Sequence, residues 1–181
     1  MLNSDKIVLI GMMGSGKTTL GRLAAAHLRR EFVDADSVIE AEAGATIPEI
    51  FAASGEMEFR RRELAVIEAL LLRPGECIIA AGGGAFCQDE TRRRLLAHSL
   101  TVFLRVEEPE LLRRLEAADV AGRPMLAGDW RRRVADLASA RYPVYGCADL
   151  VFELGRETPE VSAARLVAFL RDAMNKGEKA C

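Results

Sequence analysis

The octapeptide Gly11-Met12-Met13-Gly14-Ser15-Gly16-Lys17-Thr18 constrains the fold more than any other feature of the chain. It follows the apolar run Ile7-Val8-Leu9-Ile10 and precedes a stretch with helical spacing. GxxxxGK[ST] between a strand and a helix is the context in which this pattern holds phosphate. Gly11, Gly14 and Gly16 let the backbone bend until successive N–H groups point inward at phosphate oxygens. The helix beginning near Lys17 adds its positive end. Lys17 then reaches the β- and γ-phosphates, and the Thr18 hydroxyl is available to Mg²⁺. A glycine turn joining strand to helix is the plainer reading, but the motif is complete and correctly placed. The expected triphosphate contacts are Gly14, Ser15, Gly16, Lys17, Thr18 and Thr19.

Short apolar runs alternate with longer helix-like stretches along the rest of the chain. Ile7–Ile10 is continuous and β-branched, as a parallel strand buried on both faces should be. Thr18 to Glu31 carries Leu20, Leu23, Ala24, His27 and Leu28 at helical spacing. Phe32-Val33 is a second strand, ending in Asp34-Ala35-Asp36. Residues 47–72 read as helix interrupted at Ser54-Gly55. Cys77–Ala81 is a third strand stopped by Gly82-Gly83-Gly84, Leu100–Val106 a fourth, Leu150–Phe152 a fifth, and 160–174 a closing amphipathic helix. Strands separated by helices imply right-handed crossovers and a parallel sheet covered on both sides. Ligands then bind outside the carboxyl ends of the strands. Three strand ends carry suggestive residues and would converge on one crevice.

Composition narrows the class. Of 181 residues, 50% are apolar, enough for one domain with a sizeable core. The net charge of −2 gives no global basic field for nucleic acid or anionic membrane. Arginine runs at 60–62, 92–94, 113–114 and 131–133 suit solvated helix faces. The four cysteines, Cys77, Cys87, Cys147 and Cys181, form no CxxC pair, and two histidines offer no metal-ligand spacing. Free thiols and a cytoplasmic location are expected. The first strand begins too early to leave room for a signal peptide, and no apolar run approaches the roughly 18 residues a span needs. Without linker or repeat, residues 1–181 read as a single domain, with a loop over the crevice at about 113–130.

The remaining candidates are individually ambiguous. Asp34 and Asp36 flank Ala35, so their side chains share a side if extended geometry persists. One carboxylate could hold the water shell of a magnesium ion while the other accepts a hydroxyl proton. Asp36 or Ser37 could equally cap the next helix. No apolar run ending in Asp follows Ile78-Ile79, which leaves Asp34 as the carboxylate nearest the metal. Arg60 offers a planar fork for a substrate carboxylate, or a surface ion pair to a nearby glutamate. Gly82, Gly83 and Gly84 leave a strand end bare, where a ligand can approach backbone N–H groups. Arg123, beside Pro124, and Arg141 could each neutralise charge at a transferred phosphate, or be exposed and idle.

As an ordered set these residues resemble the shikimate kinases. The set is GMMGSGKT at 11–18, DAD at 34–36, GExxFRxxE ending at Glu63, GGG at 82–84, RPML at 123–126, and Arg141. The resemblance spans about Lys6 to Leu170. It implies a nucleoside-monophosphate-kinase-like α/β/α fold with a five-stranded parallel sheet in the order 2-3-1-4-5. It also implies ATP- and Mg²⁺-dependent phosphorylation of the shikimate 3-hydroxyl, in aromatic amino-acid synthesis. On that resemblance Asp36 holds the reacting hydroxyl and acts as base. Arg60, Gly83 and Arg141 hold shikimate, within a substrate segment at about 35–63 and the glycine tract. Arg123 is the lid arginine on ATP, Asp34 lies second to Thr18 at the metal, and Arg156 or Pro159 matches the adenine-side loop. The implied partners are ATP and shikimate, with neither nucleic acid nor membrane, for a monomer.

Two residues depart from the family pattern. Met125 replaces a leucine, a volume-conserving change. Phe86-Cys87 after the glycine tract is bulkier or more polar than a small apolar pair. A kinase for gluconate or another small polyol acid on the same fold would use a similar arginine clamp. A nucleotide-driven switch is the rival from another class, but it would leave GGG and FRxxE without a task.

Overall fold

A computed structural model describes residues 5–117 and 129–177. Among these, five strands alternate with helices in the order β1 (Lys6–Ile10), α1 (Lys17–Leu28), β2 (Glu31–Asp34), α2 (Ala35–Ala43), α3 (Ile47–Leu72), β3 (Cys77–Ala80), α4 (Asp89–His98), β4 (Leu100–Val106), α5 (Glu108–Ala117), α6 (Trp130–Tyr145), β5 (Leu150–Leu154) and α7 (Pro159–Lys176). A single 3₁₀ turn, Ala85–Cys87, follows β3.

The strands form one parallel sheet in the order β2-β3-β1-β4-β5. All five residues of β1 are buried, as a central strand covered on both faces requires. The order reverses direction beyond β1, because β1 feeds β2 on one side and β3 feeds β4 on the other. Right-handed crossovers therefore put α1 on one face and α3 and α4 on the other. In accord with this, α1 packs against α7, and α3 against α4. The crevice of an open sheet lies where its order switches, at the carboxyl end of β1.

Several element ends differ from the sequence reading for local reasons. α1 stops at Leu28 because Arg29 takes a left-handed conformation, φ 56°, and Glu31 already belongs to β2. α3 starts on a complete capping box, in which the Thr46 side chain accepts from Glu49 N–H and Glu49 accepts from Thr46 N–H. Gly55, at φ 77° and ψ 174°, breaks α3 where the sequence suggested an interruption. Both ends of the loop anticipated at about 113–130 are helical: Arg113–Ala117 completes α5, and Trp130 opens α6 behind an Asp129 cap, while residues 118–128 lie outside the described residues.

β4 and β5 are tied by a buried polar pair. Asp149 accepts from the Thr101 amide at 2.9 Å and the Thr101 hydroxyl at 2.8 Å, and returns its own N–H to that hydroxyl. A buried carboxylate with these partners costs far less than a bare one.

Candidate active site

The phosphate loop closes at the carboxyl end of β1. Gly14 at φ 77° and Gly16 at φ 93° sit in the left-handed region, which a side chain would disfavour. A Cβ on Gly14 would also lie 2.8 Å from Leu115 Cδ2, so the loop is packed from below. Lys17 Nζ donates to the carbonyls of Gly11 at 2.9 Å and Met12 at 3.0 Å, which folds the ammonium back over the loop. The Ser15 hydroxyl is buried under the loop with no hydrogen-bond partner.

Asp34 does two things at once. One carboxylate oxygen accepts from the Thr18 hydroxyl at 2.8 Å and the other from the Asp36 amide at 3.2 Å, capping α2. The chain turns helical at Ala35, so extended geometry does not persist, and Asp34, not Asp36 or Ser37, is the cap. With Asp34 as the cap, the Asp36 side chain is free to reach the glycine tract instead. Burial pushes the Asp36 carboxyl above the ordinary carboxylate range, and the neighbouring Asp34 charge adds to the shift against Lys17 and Arg60.

The glycine tract is where three elements meet. A Cβ on Gly82 would lie 2.7 Å from both Asp36 Oδ1 and Glu63 Oε1, and one on Gly84 would lie 2.6 Å from Arg60 Nη2. None of the three glycines has a positive φ. Gly82 and Gly84 are needed for space, not for backbone freedom, whereas a Cβ on Gly83 would meet its nearest atom at 3.6 Å. From α6, Arg141 Nη1 donates to the Gly83 carbonyl at 3.2 Å. Arg60 itself is held on both sides, by Glu63 Oε2 at 2.7 Å and by the exposed Glu56 at 3.2 Å. The ion-pair reading of Arg60 is therefore correct, and compatible with a binding role, because Glu63 is buried and fixes the guanidinium at the tract. Burial raises the Glu63 pKa even against Arg60.

A cleft of about 580 Å³ runs along the phosphate loop, with Lys17, Thr18, Asp34 and Asp36 among its walls. Its far side is built by Glu110, Arg113, Arg114, Glu157, Pro159 and Ser162. Arg114 donates to the Ser15 carbonyl at 3.3 Å and the Gly155 carbonyl at 2.6 Å, bridging the phosphate loop to the turn after β5. Hydrogen bonds from Arg113 and Arg114 hold the Glu110 carboxyl down at about 2. Pro159 lines this cleft, whereas Arg156 lies beside it with 80% of its side chain exposed and pairs with Glu110 at 3.5 Å. Arg123 and Met125 lie outside the described residues.

Sequence reasoning missed Glu63, Arg114 and Tyr145 as site residues. Glu63 had a signal, standing three residues after Arg60 on one helix face. Tyr145 stands one turn after Arg141, and nothing in the sequence distinguished Arg114 from Arg113. Phe86 proves fully buried, and the half-buried Cys87 thiol faces Arg141 and the Tyr145 hydroxyl.

Thr18 and Asp34 supply hard oxygen donors beside the phosphate loop, a fit to Mg²⁺, which keeps waters and phosphate oxygens for most of its shell. Among the described residues no group of three or more His, Cys, Asp or Glu could hold a metal by itself. None of their helices is long and apolar enough to cross a membrane.

The family model described as Shikimate kinase matches residues 13–171. A shikimate kinase of Bradyrhizobium diazoefficiens is 46% identical over 159 residues, covering 87% of this chain and 75% of the relative. One from Paramagnetospirillum magneticum is 42% identical over 162 residues, covering 89% and 82%. Among solved structures, shikimate kinase from Acinetobacter baumannii in complex with shikimate superposes with a TM-score of 0.84 at 35% identity, covering 92% and 93% of the two chains. A gluconokinase from Sinorhizobium meliloti shares the fold alone, with a TM-score of 0.53 at 16% identity and coverage of 95% and 98%.

Proposed function

The chain belongs to the shikimate kinase family, ATP-dependent phosphotransferases with an alcohol acceptor, and we propose that its crevice passes the γ-phosphate of ATP to the 3-hydroxyl of shikimate through Asp36, Lys17 and Arg123. One observation carries the residue assignment: a carboxylate and two guanidiniums, from α2, α3 and α6, converge on three consecutive glycines beside the phosphate loop.

Placement supports the roles proposed for the described residues, and the family resemblance supplies that of Arg123. Asp36, with a raised pKa and its side chain released from capping, accepts the hydroxyl proton as the oxygen attacks phosphorus. Arg60 and Arg141 approach the tract from opposite elements and take the substrate carboxylate between them, while Gly82, Gly83 and Gly84 leave room for the ring. Lys17 leaves the Gly11 and Met12 carbonyls for phosphate oxygens, so the same ammonium serves loop and ligand. Backbone N–H groups from Gly14 to Thr19 and the start of α1 hold the β-phosphate. The Thr18 hydroxyl, with Asp34 hydrogen-bonded behind it, would hold Mg²⁺, and the ion would supply neutralising charge to the phosphate oxygens. Arg123 is assigned to the γ-phosphate and Pro159, with Arg156 at the rim, to the adenine side. Positioning and fixed charge provide the acceleration.

The working unit in this proposal is a monomer in the cytoplasm, a compartment that suits the free thiols of the described cysteines Cys77, Cys87 and Cys147. A coupled ADP-release assay tests the function. ADP should appear with ATP, Mg²⁺ and shikimate together, and stay at background when shikimate is omitted or replaced by gluconate. Equal rates with gluconate would favour the polyol-acid alternative.

A further inference from the structure

Two donors converge on one carbonyl behind the glycine tract. Tyr145 is wholly buried at 0% exposure, and its hydroxyl donates to the Gly83 carbonyl oxygen. That oxygen also accepts from Arg141 Nη1 at 3.2 Å. A carbonyl oxygen carries two lone pairs, so the Gly83 oxygen is saturated. The phenol ring is clamped by Phe103, with centroids 5.1 Å apart, and by Tyr142 at 6.4 Å. Tyr142 is tied in turn to the Val106 carbonyl at the end of β4. A side chain at this depth serves packing equally well as phenylalanine, and burying a hydroxyl is costly unless it is bonded. The hydroxyl therefore belongs to the polar group at the tract, donating to the Gly83 carbonyl beside the Arg141 guanidinium and the Cys87 thiol.

We propose that Tyr145 is a positioning residue for substrate binding: by fixing the Gly83 carbonyl, its hydroxyl sets the plane of the Arg141 guanidinium that receives the substrate carboxylate. This rests on the reading of Arg141 as half of the carboxylate clamp. The guanidinium is a rigid planar fork, so anchoring one N–H on Gly83 fixes the direction of the others. Carboxylate recognition by such a fork is directional. Without the phenol, the Gly83 oxygen has a lone pair to satisfy and Arg141 is its nearest donor. The fork then rotates toward the tract and away from the ligand. The reacting hydroxyl and the phosphates lie on other residues, so affinity for the acceptor changes and the chemical step does not.

The test compares Tyr145→Phe with Arg141→Lys in the full chain, using initial rates at varied shikimate and ATP and thermal melts of both variants. Tyr145→Phe should raise KM for shikimate about tenfold, equivalent to about 1.4 kcal/mol. Its kcat, its KM for ATP and its Tm should stay near those of the parent. Arg141→Lys, which loses the fork but keeps the charge, should raise the same KM at least as much. An unchanged shikimate KM in Tyr145→Phe beside a raised one in Arg141→Lys would overturn the Tyr145 inference alone. An unchanged shikimate KM in Arg141→Lys would overturn the clamp, and the inference with it. A parallel rise in both KM values would mark Tyr145 as a packing residue and overturn the proposal.

Discussion

Asp36 and Glu63 each bring one carboxylate oxygen to within 2.7 Å of the position that a Cβ would occupy on Gly82. Two acidic groups from different helices thus share the space left by a single missing methyl group. The contact explains why the chain has glycine there although its φ would tolerate a side chain.

The three glycines should respond to alanine in a graded way. Gly82→Ala pushes against the half-buried Asp36 and the buried Glu63 carboxylates and Gly84→Ala against the Arg60 guanidinium, whereas a Cβ on Gly83 finds its nearest atoms at 3.6 Å and 3.7 Å, ordinary contact distances. Overpacking of this kind costs about 1–3 kcal/mol. Shikimate turnover should fall steeply in Gly82→Ala, KM for shikimate should rise in Gly84→Ala, and Gly83→Ala should be the mildest of the series. Steady-state kinetics on the three variants checks the order, and a Gly83→Ala as damaging as Gly82→Ala would contradict it.

Asp36→Asn should nearly abolish turnover while ATP still binds, which nucleotide titration and rate assays separate. For the parent enzyme, the acid limb of kcat/KM, which reports the free enzyme, should lie above 3.8, the ordinary aspartate value, because burial raises this pKa. The effect on stability has the opposite sense to that of a salt-bridged carboxylate. A raised folded pKa favours the protonated form, so its contribution is present below 3.8 and lost as pH rises through the raised value. Asp36→Asn should therefore melt higher than the parent near neutral pH, with the gap closing in acid. A gap that widens on acidification would reverse the assignment.

Glu63→Gln should weaken shikimate binding and leave ATP binding alone. The substitution removes the charge from the 2.7 Å contact with Arg60 and leaves the guanidinium to the exposed Glu56. Hydrogen bonds to charged groups are worth about 1.5–3 kcal/mol, so a rise in KM for shikimate of at least tenfold is expected. Arg60→Ala should cost about 2–5 kcal/mol of substrate binding by the same measurement.

Gly55→Ala separates backbone from packing. No atom lies within 4 Å of the Cβ position, so there is no clash, but φ 77° with ψ 174° is open to glycine almost alone. The expected loss is about 1–3 kcal/mol of stability, read from denaturant unfolding. A neutral substitution would mean that the kink relaxes without cost.

Much of this architecture was legible in the sequence. The strand runs reappear because each rests on contiguous residues, the sheet order because the family resemblance implied it, and the approach of Asp36 to Gly82 because parallel strands bring their carboxyl ends to one edge. What escaped was relational. Asp34 became the helix cap because the chain turned at Ala35, a choice that neighbouring propensities leave open. Arg113 and Arg114 are indistinguishable in sequence, and only the rotation of α5 turns one to the Ser15 carbonyl. Tyr145 meets Gly83 across 62 residues, a contact no local spacing encodes.

The packing of α7 against α1 has a consequence for how the enzyme comes into being. α1 carries the phosphate loop at its start and needs a partner along its back, yet that partner is the last helix of the described chain. In order of synthesis α1 and its loop come well before α7, so the back of α1 stays uncovered until the chain has passed through all five strands. The rigidity of the phosphate loop is thus a property of the whole fold rather than of the motif that encodes it.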